Sequence, residues 1–237
     1  MKLLERLIND KRQGKKNIAL LLDPEKINIL DIDYLTQKVL DSPISFILIG
    51  GSYIEKNSID QLVLQIKLKI KLPIFIFPGH PSQISNNADA ILFLSLISGR
   101  NPDFLIEHHV NSIPILEKTN LEIIPTSYLL IGSNNKSSVE KLSKTSPLDE
   151  NNFQKIIDTA LAGLYLGHQI TYLEAGSGAN VPISMSIIKA VSNKINNPIF
   201  VGGGIKNILQ IQQNFDNGAD VVVIGNSFEN NMNFFNL

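Results

Sequence analysis

Apolar, β-branched runs recur along the whole chain: IALLLDP from Ile18, FILIGG from Phe46, PIFIFPG from Pro73 and AILFLSL from Ala90. They continue with LEIIPTSYLLI from Leu121, ITYLEAG from Ile170, PIFVGGGI from Pro198 and VVVIGN from Val221. Near-continuous hydrophobicity, without polar alternation, marks strands buried on both faces, as in a parallel sheet. Helical patterns separate most of the runs. SIDQLVLQIKLKIK puts Ile59, Leu62, Val63, Ile66 and Ile70 on one face, FQKIIDTALAGLYLG precedes the sixth run, and SMSIIKAVSNKI precedes the seventh. Strand and helix alternating to a count of eight predict an α/β fold of the (β/α)8 barrel type over residues 1–237 as a single domain. Between the third and fourth runs lies only HPSQISNNAD, with Pro81 and two adjacent asparagines. A crossover helix needs more chain, so the barrel is expected to lack a helix there. The polar stretch from Gly132 to Pro147 reads as a long surface connection.

Composition narrows the class of protein. A length of 237 residues with 43% hydrophobic content suits one barrel domain, since such barrels run to about 250 residues. With 21 basic against 22 acidic residues and no basic run interleaved with aromatics, nucleic acid is not an expected partner. MKLLERLINDKRQGKK is charged throughout, and no apolar run reaches the roughly 20 residues of a membrane span. A cytoplasmic location is expected. The absence of cysteine rules out disulfide and thiolate chemistry.

The glycines change the picture further. Of the 15 in the chain, nine fall at the C-terminal ends of these runs: Gly50, Gly51, Gly79, Gly176, Gly178, Gly202, Gly203, Gly204 and Gly225. That is the end where barrel enzymes carry their active sites. A tight βα corner explains one glycine, but not three in a row at FVGGGI. Glycine lets backbone N–H groups approach an anion without a Cβ in the way. Gly203, Gly204, Gly225 and Asn226, joined by Ser177 and Gly178, are therefore expected to bind phosphate. At the other side of the mouth, Asp23 ends the first run and Ser52 follows the second. A carboxylate and a hydroxyl suit Mg2+ once a diphosphate and water complete the shell. The same two residues would serve equally as a turn cap before Pro24 and a helix cap.

Together, DPEK, GGSY, the stretch Ser98 to Pro102, YLEAGSGA, VGGGI and GADVVVIGN resemble the geranylgeranylglyceryl phosphate synthase family, which includes the bacterial heptaprenylglyceryl phosphate synthases. The resemblance runs from about Ile18 to Asn226. It implies a barrel without the helix after strand three. It also implies transfer of a polyprenyl group, geranylgeranyl foremost, from its diphosphate to the C3 hydroxyl of sn-glycerol 1-phosphate, with Mg2+ as cofactor. Asp23 and Ser52 would correspond to the magnesium positions. Tyr172, Leu173, Glu174, Ala175, Gly176, Ser177 and Gly178, with Gly203, Gly204, Gly225 and Asn226, would hold the glycerol phosphate. A homo-oligomer is the expected assembly.

That substrate accounts for a carboxylate beside an anion cradle. Ser177 and the glycines take the phosphate, while Glu174 accepts hydrogen bonds from the hydroxyls. Period-two alternation turns Tyr172 and Glu174 the same way. Asp23 and Glu174 are the catalytic candidates, Asp23 through Mg2+ at the leaving diphosphate and Glu174 by positioning the hydroxyl. An unperturbed glutamate is a weak base. His108 and His109 read as structural or exposed, Arg100 as a solvated loop residue, and His80 as a marginal candidate. Tyr128 and the long fifth strand are the candidates for an apolar groove. The phosphate motifs alone also admit another phosphate-binding barrel of amino-acid or cofactor biosynthesis, or a non-catalytic phosphometabolite-binding barrel.

Overall fold

In the computed structural model, which describes residues 2–51, 56–132 and 137–235, all eight apolar runs form strands. They are β1 (Asn17–Leu22), β2 (Ile44–Ile49), β3 (Ile74–Ile76), β4 (Ala90–Leu96), β5 (Glu122–Leu130), β6 (Ile170–Glu174), β7 (Ile199–Gly202) and β8 (Val221–Ile224). Each pairs in parallel with the next, and β8 closes on β1 with Asn17 opposite Val221. Alternation along the strands sorts side chains into two clusters. Leu20, Ile47, Leu173 and Val222 face the helices. Ala19, Phe46, Tyr172 and Val221 fill the barrel interior.

The interior is a packed column of rings. Phe46 lies 5.0 Å from Phe75 and 6.0 Å from Phe200, and Phe200 lies 6.0 Å from Tyr172. Tyr172 continues the column to Tyr128 at 5.3 Å and Phe77 at 5.5 Å. Ala19 and Ala90, both fully buried, leave the volume these rings occupy. The column therefore sets the height at which Tyr172, and Glu174 two residues beyond it, stand in the barrel.

Helix α1 (Leu3–Arg12) closes the opposite end. Its leucines at 3, 4 and 7 pack against the interior cluster. Glu122 accepts the N–H groups of Leu3 and Leu4 at 2.5 and 3.0 Å, and Lys11 meets Asp220 at 2.7 Å. A segment dense in charge thus carries an apolar stripe, while its charged groups fasten it to the strand starts.

Helices α2 (Ile32–Leu40) and α3 (Lys56–Lys69) follow β1 and β2, and the predicted α3 face of Ile59, Leu62, Val63, Ile66 and Ile70 is buried. Between β3 and β4 there is only a 3-10 turn at Pro81–Gln83, so the helix missing from the pattern is missing from the fold. A π-helical turn, Asp103–Glu107, leads into α4 (His108–Leu116). The stretch expected as surface connection holds α5 (Ser138–Ser143) instead, opened by a capping box between Ser137 and Glu140. Helices α6 (Phe153–Tyr165), α7 (Met185–Ser192), α8 (Ile208–Asp216) and α9 (Asn226–Asn230) complete the chain. Among the described residues no helix is long and apolar enough to cross a membrane. Phe46→Ala is expected to lower unfolding free energy by about 3–5 kcal/mol, read by denaturant titration, because the ring column has no spare volume to collapse into.

Candidate active site

A cavity of about 700 Å3 opens at the C-terminal ends of the strands. One part is lined by Asp23, Lys26, Ser177, Asn226 and Glu229, and the other by Phe77, Ile84, Phe93, Phe104 and Val139. Tyr128, Tyr172 and Glu174 also line it. The molecule thus presents a polar chamber and an apolar arm in one space.

Glu174 is the chemical centre of the polar chamber. It is 6% exposed, and its Oε1 accepts the Gly176 N–H at 2.7 Å. The Tyr172 hydroxyl is buried beside the carboxylate, short of normal hydrogen-bond geometry but close enough to favour its charged form. Burial pushes the Glu174 carboxyl up to about 7, against the opposing pull of the Gly176 N–H and the neighbouring Tyr172 hydroxyl. Two glycines of FVGGGI make this possible. A Cβ at Gly202 would lie 2.8 Å from Glu174 Oε2, and one at Gly203, where φ is +85°, would strike Glu174 Oε1. Part of the glycine run is therefore room for the carboxylate.

Around Glu174, Ser177, Gly178, Gly203, Gly204, Gly225 and Asn226 all line the cavity. The backbone N–H groups of Ser177, Gly178, Gly203 and Gly204 have no acceptor among the described residues. Such groups together make an anion-binding concavity. Ser227 Oγ donates to Ile205 O at 2.5 Å, tying the β7 and β8 loops into one unit. The remainder of the Tyr172–Gly178 run behaves differently from the expectation. Leu173 and Ala175 pack outward with the helical layer, because alternation sends them away from Tyr172 and Glu174, and the Gly176 N–H is spent on Glu174.

Asp23 lines the cavity, and its Oδ1 also accepts the Glu25 N–H at 3.2 Å, so the turn-capping role coexists with a position at the mouth. Ser52 lies outside the described residues. Sequence reading missed the hub beside Asp23. Lys26 Nζ donates to Asn226 Oδ1 at 3.0 Å and Glu229 Oε2 at 3.3 Å, and lies 3.6 Å from Asp23 Oδ2. Glu229 Oε1 accepts the Asp23 N–H at 3.0 Å. Among the described residues no three histidines or carboxylates cluster as a metal site. A cation at Asp23 would draw its other oxygens from substrate and water, and that all-oxygen set fits Mg2+.

The apolar arm crosses the end of β4, touching Leu94 and Leu96 of its inner face and Ile91 and Phe93 of its outer face, beside the gap left by the missing helix. α4 and α5 supply the remaining wall. His109, buried, meets Ser95 Oγ at 3.1 Å and stands edge-on to Phe93 at 4.5 Å. Burial lowers the pKa of both His109 and His108. His108 sits 5.2 Å from His80 and 4.8 Å from Phe104, ring to ring. Arg100 donates to Ile97 O and Gly99 O, which makes it a loop brace. Tyr128, the groove candidate, lines the cavity as well. Val139 and Leu142 of α5 were legible as an apolar pair behind the Ser137–Glu140 capping box.

The raised Glu174 value has a stability consequence. The folded value of about 7 lies above the ordinary 4.5, so the folded protein holds a proton that the unfolded chain loses. Stability is full below pH 4.5 and falls as pH rises to about 7, by about 3 kcal/mol in all. Glu174→Gln is expected to remove that slope, so that melting temperatures of parent and variant, measured in parallel, diverge as pH rises through this window.

Residues 10–235 match the PcrB family. A geranylgeranylglyceryl phosphate synthase of Flavobacterium johnsoniae is 50% identical over 98% of this chain and 95% of its own. One of Zunongwangia profunda is 45% identical over 97% of each chain. The crystal structure of (S)-3-O-geranylgeranylglyceryl phosphate synthase from Thermoplasma acidophilum, in complex with its substrate sn-glycerol-1-phosphate, superposes with a TM-score of 0.93 at 29% identity, covering 99% of this chain and 94% of that one. With a match across nearly its whole length and half its residues shared with one relative, the chain belongs to the PcrB family.

Proposed function

We propose that the protein transfers a polyprenyl group from its diphosphate to the C3 hydroxyl of sn-glycerol 1-phosphate. The observation that carries this reading is the buried Glu174 carboxylate, titrating near 7, between an N–H cradle and an apolar arm. Glycerol phosphate matches the polar chamber, with its anion on Ser177, Gly178, Gly203, Gly204, Gly225 and Asn226. Its hydroxyls reach Glu174 and the buried Tyr172 hydroxyl beside it. The prenyl chain matches the arm over β4, bounded by Phe77, Phe93, Phe104 and Val139. The relatives above are named for making geranylgeranylglyceryl phosphate, and sn-glycerol-1-phosphate is the substrate named with the Thermoplasma acidophilum structure.

The reaction breaks the allylic C–O bond and forms a new one to the glycerol C3 oxygen. Diphosphate leaves with the bonding pair, and the hydroxyl proton passes to Glu174. A carboxylate with a pKa near the working pH is a competent base, unlike an ordinary one. Holding the hydroxyl against the allylic carbon converts a bimolecular encounter into an oriented one. Mg2+ at Asp23 would neutralise charge on the leaving diphosphate. Lys26, held by Glu229, supplies fixed positive charge between the two phosphate-bearing regions.

The direct test is incubation of labelled sn-glycerol 1-phosphate with a set of polyprenyl diphosphates, with and without Mg2+. Prenylated product and released diphosphate are expected, and neither would form if the barrel only binds phosphometabolites. Asp23→Asn is expected to lower kcat/KM on the order of 10²-fold while leaving glycerol phosphate affinity intact in calorimetry. Glu174→Gln is expected to cost at least about tenfold in kcat/KM, since each charge-assisted bond is worth roughly 1.5–3 kcal/mol. Inorganic phosphate, which has no hydroxyl end, should bind that variant as well as it binds the parent. Parent affinity for glycerol phosphate, relative to inorganic phosphate, should rise as pH passes about 7 and Glu174 ionises.

A further inference from the structure

The gap left by the absent helix needs something else to hold its edges. β2 and β3 remain hydrogen-bonded as far as the Phe77 N–H, which donates to Ile49 O at 2.9 Å. Beyond that point the chains diverge, Gly51 toward α3 and Gly79 toward the 3-10 turn, and both glycines line the cavity. One side chain bridges them. Gln83, 1% exposed, donates from Nε2 to Gly51 O at 3.1 Å and accepts the Gly79 N–H on Oε1 at 2.6 Å.

Gln83 is itself firmly held. Its N–H donates to His80 O at 3.0 Å, and Ile84 and Ser85 beside it are buried. Ser85 Oγ bonds to Asp60 Oδ1 on α3, and Asn87 Nδ2 reaches the same oxygen at 3.4 Å. A primary amide carries a donor and an acceptor without charge, which is what one carbonyl and one N–H demand. Filling volume alone would need neither, and Ile84 already does that one residue on. The bridge stands at the join of the two halves of the cavity. Gly51 follows the strand next to Asp23, while Gly79 follows Phe77 and Pro78 of the apolar arm.

We propose that Gln83 is a positioning residue for the prenyl diphosphate, setting the separation of Gly51 and Gly79, the points past β2 and β3 between which the diphosphate end meets the first isoprene units. The proposal rests on the function above. Gln83→Leu leaves both loop groups unpaired and lets the walls part. Gln83→Glu keeps the acceptor, and its donor returns only when the carboxyl is protonated.

The experiment measures KM for the polyprenyl diphosphate, its affinity by calorimetry, and sn-glycerol 1-phosphate affinity, for parent and both variants across pH. Gln83→Leu should weaken the prenyl substrate at least about tenfold and leave glycerol phosphate affinity within about twofold. For Gln83→Glu, the prenyl defect relative to the parent should shrink as pH falls. Equal loss for both substrates, no loss in either variant, or a pH-independent defect would overturn the proposal. If Gln83→Leu fails to fold, the pH response of Gln83→Glu decides alone. A parent that binds both substrates and forms no product would sink the assigned reaction, while the prenyl affinities still decide for Gln83.

Discussion

A carboxylate buried at the end of a strand can be enclosed only by groups that carry hydrogen or take up no room. Glu174 meets that constraint with the Gly176 N–H, the Tyr172 hydroxyl, and two glycines whose Cβ atoms would collide with its oxygens. The constraint reaches outward from there. Gly203 adopts positive φ beside the carboxylate, and the N–H groups of Gly203 and Gly204 have no acceptor among the described residues. The proposed anion cradle and hydroxyl acceptor would thus be built from the same few residues, so that altering one would alter the other. Below them the ring column from Phe46 to Tyr172 fixes the depth at which the arrangement stands.

The second organising choice is the loss of one helix. A regular barrel would cover the outer face of β4, and here that face becomes one wall of a cavity. The polar consequences are met locally. Gln83 takes up the Gly51 carbonyl and the Gly79 N–H, and His109 bonds to Ser95 in the wall itself. The π-helical turn before α4 presents Phe104 toward the interior cluster. Regularity is given up where the proposed prenyl substrate would need length.

Much of this was legible in the chain. Apolar runs without polar alternation identified every strand, and the short Pro81-containing link identified the missing helix. Glu174 could be placed by alternation, since a strand residue two beyond a buried tyrosine shares its face. The same alternation argues against treating YLEAGSGA as a continuous contact surface, and Leu173 and Ala175 pack away from the cavity accordingly. Other features were out of reach for physical reasons. Lys26 and Glu229 are 203 residues apart, and only barrel closure brings them together. Desolvation of Glu174 depends on what surrounds it in space, so no pattern in the chain announces a carboxyl titrating near neutrality. α5 was a different case, because its Ser137–Glu140 signature was present in the chain and was outweighed by polar composition.

The closure of the far end by α1 also fixes how the molecule can be attached to anything else. The helix enters at the strand starts, where Glu122 holds its first N–H groups. Whatever is joined ahead of Leu3 therefore departs from the face opposite the cavity. Tethering to a solid support through that end would leave the mouth pointing into solution, free to receive a long apolar substrate and to release a product that is larger still.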